Sequence, residues 1–285
     1  MKFKLFASVC VAAGLAFGLA GCGDDNAPKS GDAKTLTVGA SPVPHADILN
    51  LIAPQLQKEG ITLKVIEFSD YIQPNLSLND KELDANFFQH KPYLDSFSKD
   101  RGLKLTSLVA VHIEPMGVYS HKVKNVADVA EGSEVAIPND PTNGGRALKV
   151  LEAAGLIKLK DSAEFNPTID DIETYNTKIT IEELKANVIP STLADVTAAV
   201  VNGNYALDFG LKTEDAIYKD DQLDIEEYWN LIAARSADLE DADKLETYKK
   251  VVAAFQSDET EKVFNDQFGG YFIKAGWDQD LLADK

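Results

Sequence analysis

Leu36-Thr-Val-Gly-Ala40 is a short apolar strand that ends in small residues. A helical stretch follows, with Ile48, Leu51, Ile52 and Leu56 three and four residues apart, and Pro54 predicts a kink in it. Leu63 to Phe68, rich in Val and Ile, reads as the next strand, and Leu83 to Phe88 as a third. Lys91-Pro92 then opens a helix, since proline is well placed in a first turn. Strands alternating with helices in this way mark an α/β sheet covered on its faces by helices.

The pattern restarts after residue 120. Glu134 to Ile137 reads as a strand, Arg146 to Ala154 as a helix closed by Gly155, and Ile179 to Leu184 and Thr197 to Val201 as further apolar segments. A second α/β unit is implied. Two extended segments, His112 to Tyr119 and Glu227 to Arg235, are placed to cross between the units. Leu245, Tyr248, Val251, Val252 and Phe255 share a helical face that returns to pack on the first lobe.

The chain has 285 residues, 45% of them hydrophobic, enough for a sizeable core in one or two domains. Its 46 acidic residues against 28 basic ones give a net charge of -18, which argues against a nucleic-acid partner, because phosphate binding needs clustered cations. The two cysteines, Cys10 and Cys22, cannot build a disulfide framework or a four-cysteine zinc site.

The amino terminus reads as an export signal. A basic start is followed by the uncharged run Leu5 to Ala20 and by Leu19-Ala20-Gly21-Cys22. That run is shorter than the ~20 residues of a spanning helix. The tetrapeptide resembles the lipobox of bacterial lipoproteins, which implies that residues 1–21 are removed and Cys22 is acylated. Residues 22–34 then read as the lipidated cysteine and a flexible, polar linker. The expected location is the extracytoplasmic face of the cell membrane.

Ala136-Ile-Pro-Asn-Asp-Pro-Thr-Asn-Gly-Gly-Arg146 joins a strand end, a turn-rich loop and a helix start. Asp140 or Thr142 can cap that helix, and its free N–H groups favour an anion. Arg146, read as a first-turn cation, points to a negative group such as a small carboxylate. The motif matches neither the P-loop nor the dinucleotide pattern. In Asp84-Ala-Asn-Phe-Phe-Gln-His-Lys-Pro-Tyr93, a strand meets a helix where open α/β sheets bind ligands. Phe88 and Tyr93, with Tyr71 after the preceding strand, can wall an apolar group while His90 hydrogen-bonds.

His45, His90, His112 and His121 are not spaced as metal ligands, although distant strands could assemble some of them with an acid such as Glu114. A site for zinc or manganese is therefore the alternative reading. No serine-nucleophile elbow or zinc-protease motif is present, and the expectation is a protein without enzymatic activity or a cofactor.

Five ordered motifs carry a resemblance. They are Val38 to Ala46, Asn86 to Leu94, His112 to Ser120, Ile137 to Ala147 and Ala199 to Ala206. Together they resemble the methionine-binding lipoproteins of bacterial ABC transporters, the MetQ or NlpA family. The resemblance implies a two-lobed, type II-like periplasmic-binding-protein fold with two crossover strands. Lobe 1 is then 35–115 plus 232–285, and lobe 2 is 116–231. It further implies a monomer that binds L- or D-methionine, or a close analogue such as a methionyl dipeptide, and delivers it to a permease and its ATPase. By motif, Tyr71, Phe88 and Tyr93 resemble an aromatic box for the thioether, and Arg146 the carboxylate partner. His90, Asn202 and Asn230 complete the polar contacts. Glu227-Tyr-Trp-Asn230 departs from the Pro-Tyr-Ala-Asn or Pro-Tyr-Val-Asn run common in relatives, and Trp229 either alters the pocket or faces away from it.

Overall fold

The computed structural model describes residues 34–220, 222–268 and 271–279. The expected signal segment, Cys22 and the linker up to residue 33 lie outside the described residues. Among those described, no helix is long and apolar enough to cross a membrane.

The first half of the chain alternates strands and helices, with α2 and most of β4 additions to the sequence reading. It runs β1 (Lys34–Ala40), α1 (Asp47–Lys58), β2 (Ile61–Glu67), α2 (Gln73–Asn79), β3 (Ala85–His90), α3 (Lys91–Arg101) and β4 (Leu105–Ile113). After a two-residue link come β5 (Met116–Tyr119), β6 (Glu134–Pro138) and α4 (Pro141–Ala153). A hairpin of β7 (Ile157–Leu159) and β8 (Ile172–Tyr175) follows, then β9 (Thr180–Leu184), β10 (Ala198–Asn202), α5 (Gly203–Asp208) and β11 (Tyr218–Lys219). The chain ends with β12 (Asn230–Arg235), α6 (Ala242–Phe255), α7 (Asp258–Asp266) and β13 (Ile273–Lys274).

Two sheets define two α/β lobes. The first has the order β13-β4-β12-β3-β1-β2, and the second β11-β5-β10-β6-β9. Each sheet has a parallel core and takes an antiparallel strand from a segment that crosses to it. β5 follows directly on β4 and pairs with β10, with Asn202 opposite Met116. β12 inserts between β3 and β4 and is antiparallel to both, from Asn230 onward. The parallel strands β3 and β10 are buried along their whole length, and β10 accordingly reads as an apolar run without alternation.

The largest core lies under the first sheet, where Val38, Ile52, Phe87, Val109, Tyr248 and Phe255 pack together. Each such side chain contributes about 1.5–3 kcal/mol by leaving water, and Phe87 meets Phe255 edge to face at 5.1 Å. The expected C-terminal helix is α6, and it supplies Tyr248 and Phe255 to this core.

Several elements differ from their sequence reading. The helix read from Arg146 begins at Pro141, capped by Asp140. Arg146 therefore sits in the second turn, and the argument from a cation at the positive end of the helix dipole does not apply. α1 runs unbroken through Pro54; residue 50, whose carbonyl loses its helical donor, is exposed and reaches water. Leu51 is 39% exposed, and the buried face of α1 uses Leu49 instead. β3 starts at Ala85, where pairing with Val38 of β1 begins, and it extends to His90. The segment read as extended from Glu227 starts with a helical turn, Glu226–Tyr228. The β7-β8 hairpin is an addition the sequence reading lacks.

Candidate functional site

A small cavity lies between the lobes, where the carboxyl ends of β3 and β10 and the start of α4 converge. This is where open α/β sheets bind ligands. Tyr71, Phe88, His90 and Tyr93 line it from the first lobe and Arg146 and Asn202 from the second, with Asn230 at the start of β12. All seven residues singled out from the sequence share this one cavity. Gln89, Glu114, Met116, Asn143 and Gly203 also line it.

The apolar end is a triangle of rings. Tyr71, Phe88 and Tyr93 have centroids 5.7, 5.8 and 6.0 Å apart. The Tyr93 hydroxyl donates to the Tyr71 carbonyl at 2.9 Å. Asp70 accepts the N–H groups of Ile72 and Gln73 and fixes the turn presenting Tyr71. From the second lobe, Tyr205 stacks on Tyr71 at 4.7 Å, and Asn204 accepts its hydroxyl.

At the polar end, carboxylates determine how each amide points. Asp140 caps α4 by accepting the Asn143 N–H at 2.9 Å, and it also accepts from Asn143 Nδ2 at 3.0 and 3.1 Å. A carboxylate only accepts, so the Asn143 carbonyl must point the other way. There it receives His90 Nε2 at 3.3 Å and Asn202 Nδ2 at 2.7 Å. His90 is the cap of α3 and its Nδ1 accepts the Tyr93 N–H at 3.3 Å, so the ring proton is on Nε2. Burial, with Arg146 nearby, pushes His90 down to about 4 and keeps it neutral. The chain of donors ends at Asn202 Oδ1, which is buried without a protein partner.

A second chain starts at Glu114, in the link between β4 and β5. Its Oε1 lies 2.9 Å from His112 Nε2 and 3.3 Å from His45 Nε2, and Oε2 accepts the Asn204 N–H at 3.0 Å. His45 Nε2 also lies 3.2 Å from Asn230 Oδ1. Because the carboxylate accepts, His45 donates and Asn230 turns its oxygen inward, leaving the amide nitrogen free to donate. Burial pushes the Glu114 carboxyl up, with His45 opposing.

Arg146 is 4% exposed and already paired. Its Nε and Nη2 reach Asp220 Oδ2 at 3.1 and 2.7 Å, Nη2 also donates to the Glu114 carbonyl, and the guanidinium lies over Tyr228. These contacts leave the Nη1 donors unused. Trp229 is not among the cavity residues; its ring packs beside Gly276.

Sequence spacing concealed one cluster. His45, His112 and Glu114 come together, with ligand atoms within 4.8 Å of one another. A metal-bound imidazole normally donates its second N–H to an acceptor. Here His45 Nδ1 and His112 Nδ1 are both buried with no partner, so the set fits two neutral imidazoles donating to one carboxylate and does not fit a metal centre. The roles of Glu114 and Asn143 at the cavity were also missed. Both lie inside quoted motifs, but nothing in the residue order reveals the donor chains.

Residues 36–276 match the family model described as NlpA lipoprotein. The D-methionine-binding lipoprotein MetQ of Salmonella typhi is 40% identical over 279 residues, covering 97% of this chain and 99% of that protein. A nutrient binding protein from Burkholderia cenocepacia, solved bound to methionine, is 42% identical with a TM-score of 0.78, covering 84% of this chain and 99% of that one. The methionine binding protein MetQ gives a TM-score of 0.80 at 38% identity, covering 86% and 99%. With this much of its length matched, on the two-lobed fold those structures share, the chain belongs to the NlpA lipoprotein family.

Proposed function

We propose that the chain is the substrate-binding component of an ABC importer and holds free methionine, of either hand, between its lobes. The observation that carries this reading is the polarity of the cavity. The lining offers an orphaned buried acceptor, Asn202 Oδ1, and the carboxyl group of Glu114. Opposite kinds of group, the free Nη1 of Arg146 and the amide nitrogen of Asn230, are donors. An ammonium and a carboxylate on one carbon complement that set, and a buried zwitterion requires such partners because an unpaired charge costs several kcal/mol. The three rings form a sleeve for an unbranched thioether, which sulfur–aromatic contacts favour. The names of the relatives support the same ligand.

In this reading Arg146 and Asn230 hold the carboxylate, Asn202 and Glu114 the ammonium, and Tyr71, Phe88, Tyr93 and Met116 the side chain. His90 orients Asn143. Lobe 1 comprises about 35–115 and the segment from 230–232 onward, and lobe 2 lies between them. Cys22 carries the lipid anchor on the extracytoplasmic face, and a permease with its ATPase receives the ligand.

Isothermal titration with methionine tests the reading. One equivalent is taken up and recovered unchanged, with alanine bound far more weakly. No heat with either hand of methionine, or turnover of the bound compound, rejects it. For the anchor, Cys22→Ala is expected to move the protein from the membrane to the soluble fraction on fractionation, and retention in the membrane rejects the lipobox assignment.

A further inference from the structure

We propose that Asp140, which does not line the cavity, decides that the ligand must carry an ammonium group, by fixing which way the amides of Asn143 and Asn202 face. This deepens the zwitterion reading above and rests on it. A side-chain amide is nearly symmetric in shape, so its neighbours alone decide whether oxygen or nitrogen points a given way. Asp140 receives both the backbone and the side-chain N–H of Asn143. Its Oδ1 also receives the Thr142 hydroxyl at 3.0 Å. Asn143 is thereby held with its oxygen toward Asn202, and Asn202 with its oxygen toward the ligand. His90 Nε2 is a second hold on Asn143, but at 3.3 Å it is a long and weak one.

Without the carboxylate, Asn143 can turn over and present N–H groups to Asn202. Asn202 then turns in response and aims its own N–H groups at the cavity. A donor facing an ammonium is repulsive. A hydroxyl both donates and accepts, so a ligand carrying a hydroxyl in place of the ammonium is indifferent to the reversal. Asp140 is thus a positioning residue for selectivity, separable from its role as a helix cap.

The test compares methionine with its α-hydroxy acid analogue by titration, in the full-length protein and in Asp140→Ala and Asp140→Ser. Serine preserves the cap, since it also accepts from the first helical turn, but its hydroxyl can donate and no longer forces the amide. Both variants are expected to lose methionine affinity relative to the analogue by about tenfold or more, the scale of one hydrogen bond to a charged group. The shift is expected to persist at about 0.5 M salt, where the field of a surface carboxylate is screened. A ratio unchanged within about threefold in both variants, a ratio restored by serine, or a shift abolished by salt overturns the proposal while leaving the zwitterion reading in place. A wild-type chain that binds neither compound overturns the reading itself.

Discussion

Arg146 has two roles, and they call for a double substitution. The sequence alone suggests that Arg146→Ala abolishes binding with little loss of fold. The structure shows the guanidinium against Asp220, which is 6% exposed, so alanine strands a buried carboxylate. Breaking such a pair from one side costs about 3–5 kcal/mol. Arg146→Ala is therefore expected to lose methionine binding and stability together. Adding Asp220→Asn is expected to recover most of the stability and none of the binding, as read by urea denaturation and titration. Recovery of binding in the double variant removes Arg146 from the site. Asn202 and Asn230 pose the complementary case. Their residue types were legible in the motifs, but which end of each amide faces the ligand was not, because that depends on Asp140 and Glu114 through intermediates far away in sequence.

At the scale of elements, α4 is the part on which the site most depends, since its first turns carry Asn143 and Arg146. A Cβ on Gly144 would lie 2.7 Å from the backbone oxygen of Pro138, the last residue of β6. Gly→Ala inside a helix ordinarily gains about 1 kcal/mol. Here the helix must move off the strand, so Gly144→Ala is expected to destabilise by about 1–3 kcal/mol and to weaken methionine binding. A stabilised variant with unchanged affinity would show that the close approach has no consequence. The start of this helix was also where sequence reading slipped. Pro141 and Asp140 had the right character for a first turn and its cap, but the paired glycines drew the boundary inward to Arg146. Elements with strong apolar periodicity or β-branched runs, such as β2, β10 and α6, were placed within a few residues. The β7-β8 hairpin has little apolar pattern and exposed residues along β8, so it left no such trace. That Glu114 gathers histidines was an open reading of the sequence, but which ones was not legible: His45 and His112 lie on different elements, and only the fold brings them together.

For the whole molecule, buried neutral histidines tie stability to pH. Burial pushes His45 and His90 to about 4 and His112 to about 3, from an ordinary 6.5. The unfolded chain takes up these protons where the folded chain does not, so the stability they provide is complete above about pH 6.5 and is lost as pH falls toward the folded values. Glu114, pushed up from 4.5, works in the opposite direction and offsets part of the loss at the acid end. Between about pH 6.5 and 5, where ordinary carboxylates stay ionised, urea denaturation is expected to show stability falling by up to about 1.4 kcal/mol per pH unit for each histidine. A flat profile over that interval would mean that these rings are protonated or accessible in the native state. The position of β12 bears on the molecule's history as well as its shape. It fills the gap between β3 and β4, yet its residues follow the entire second lobe. Order along the chain and order in the sheet thus differ: β3 and β4 are made early, and the strand that joins them only when about four-fifths of the polypeptide has been made. The first sheet therefore cannot be completed until the second lobe has been made.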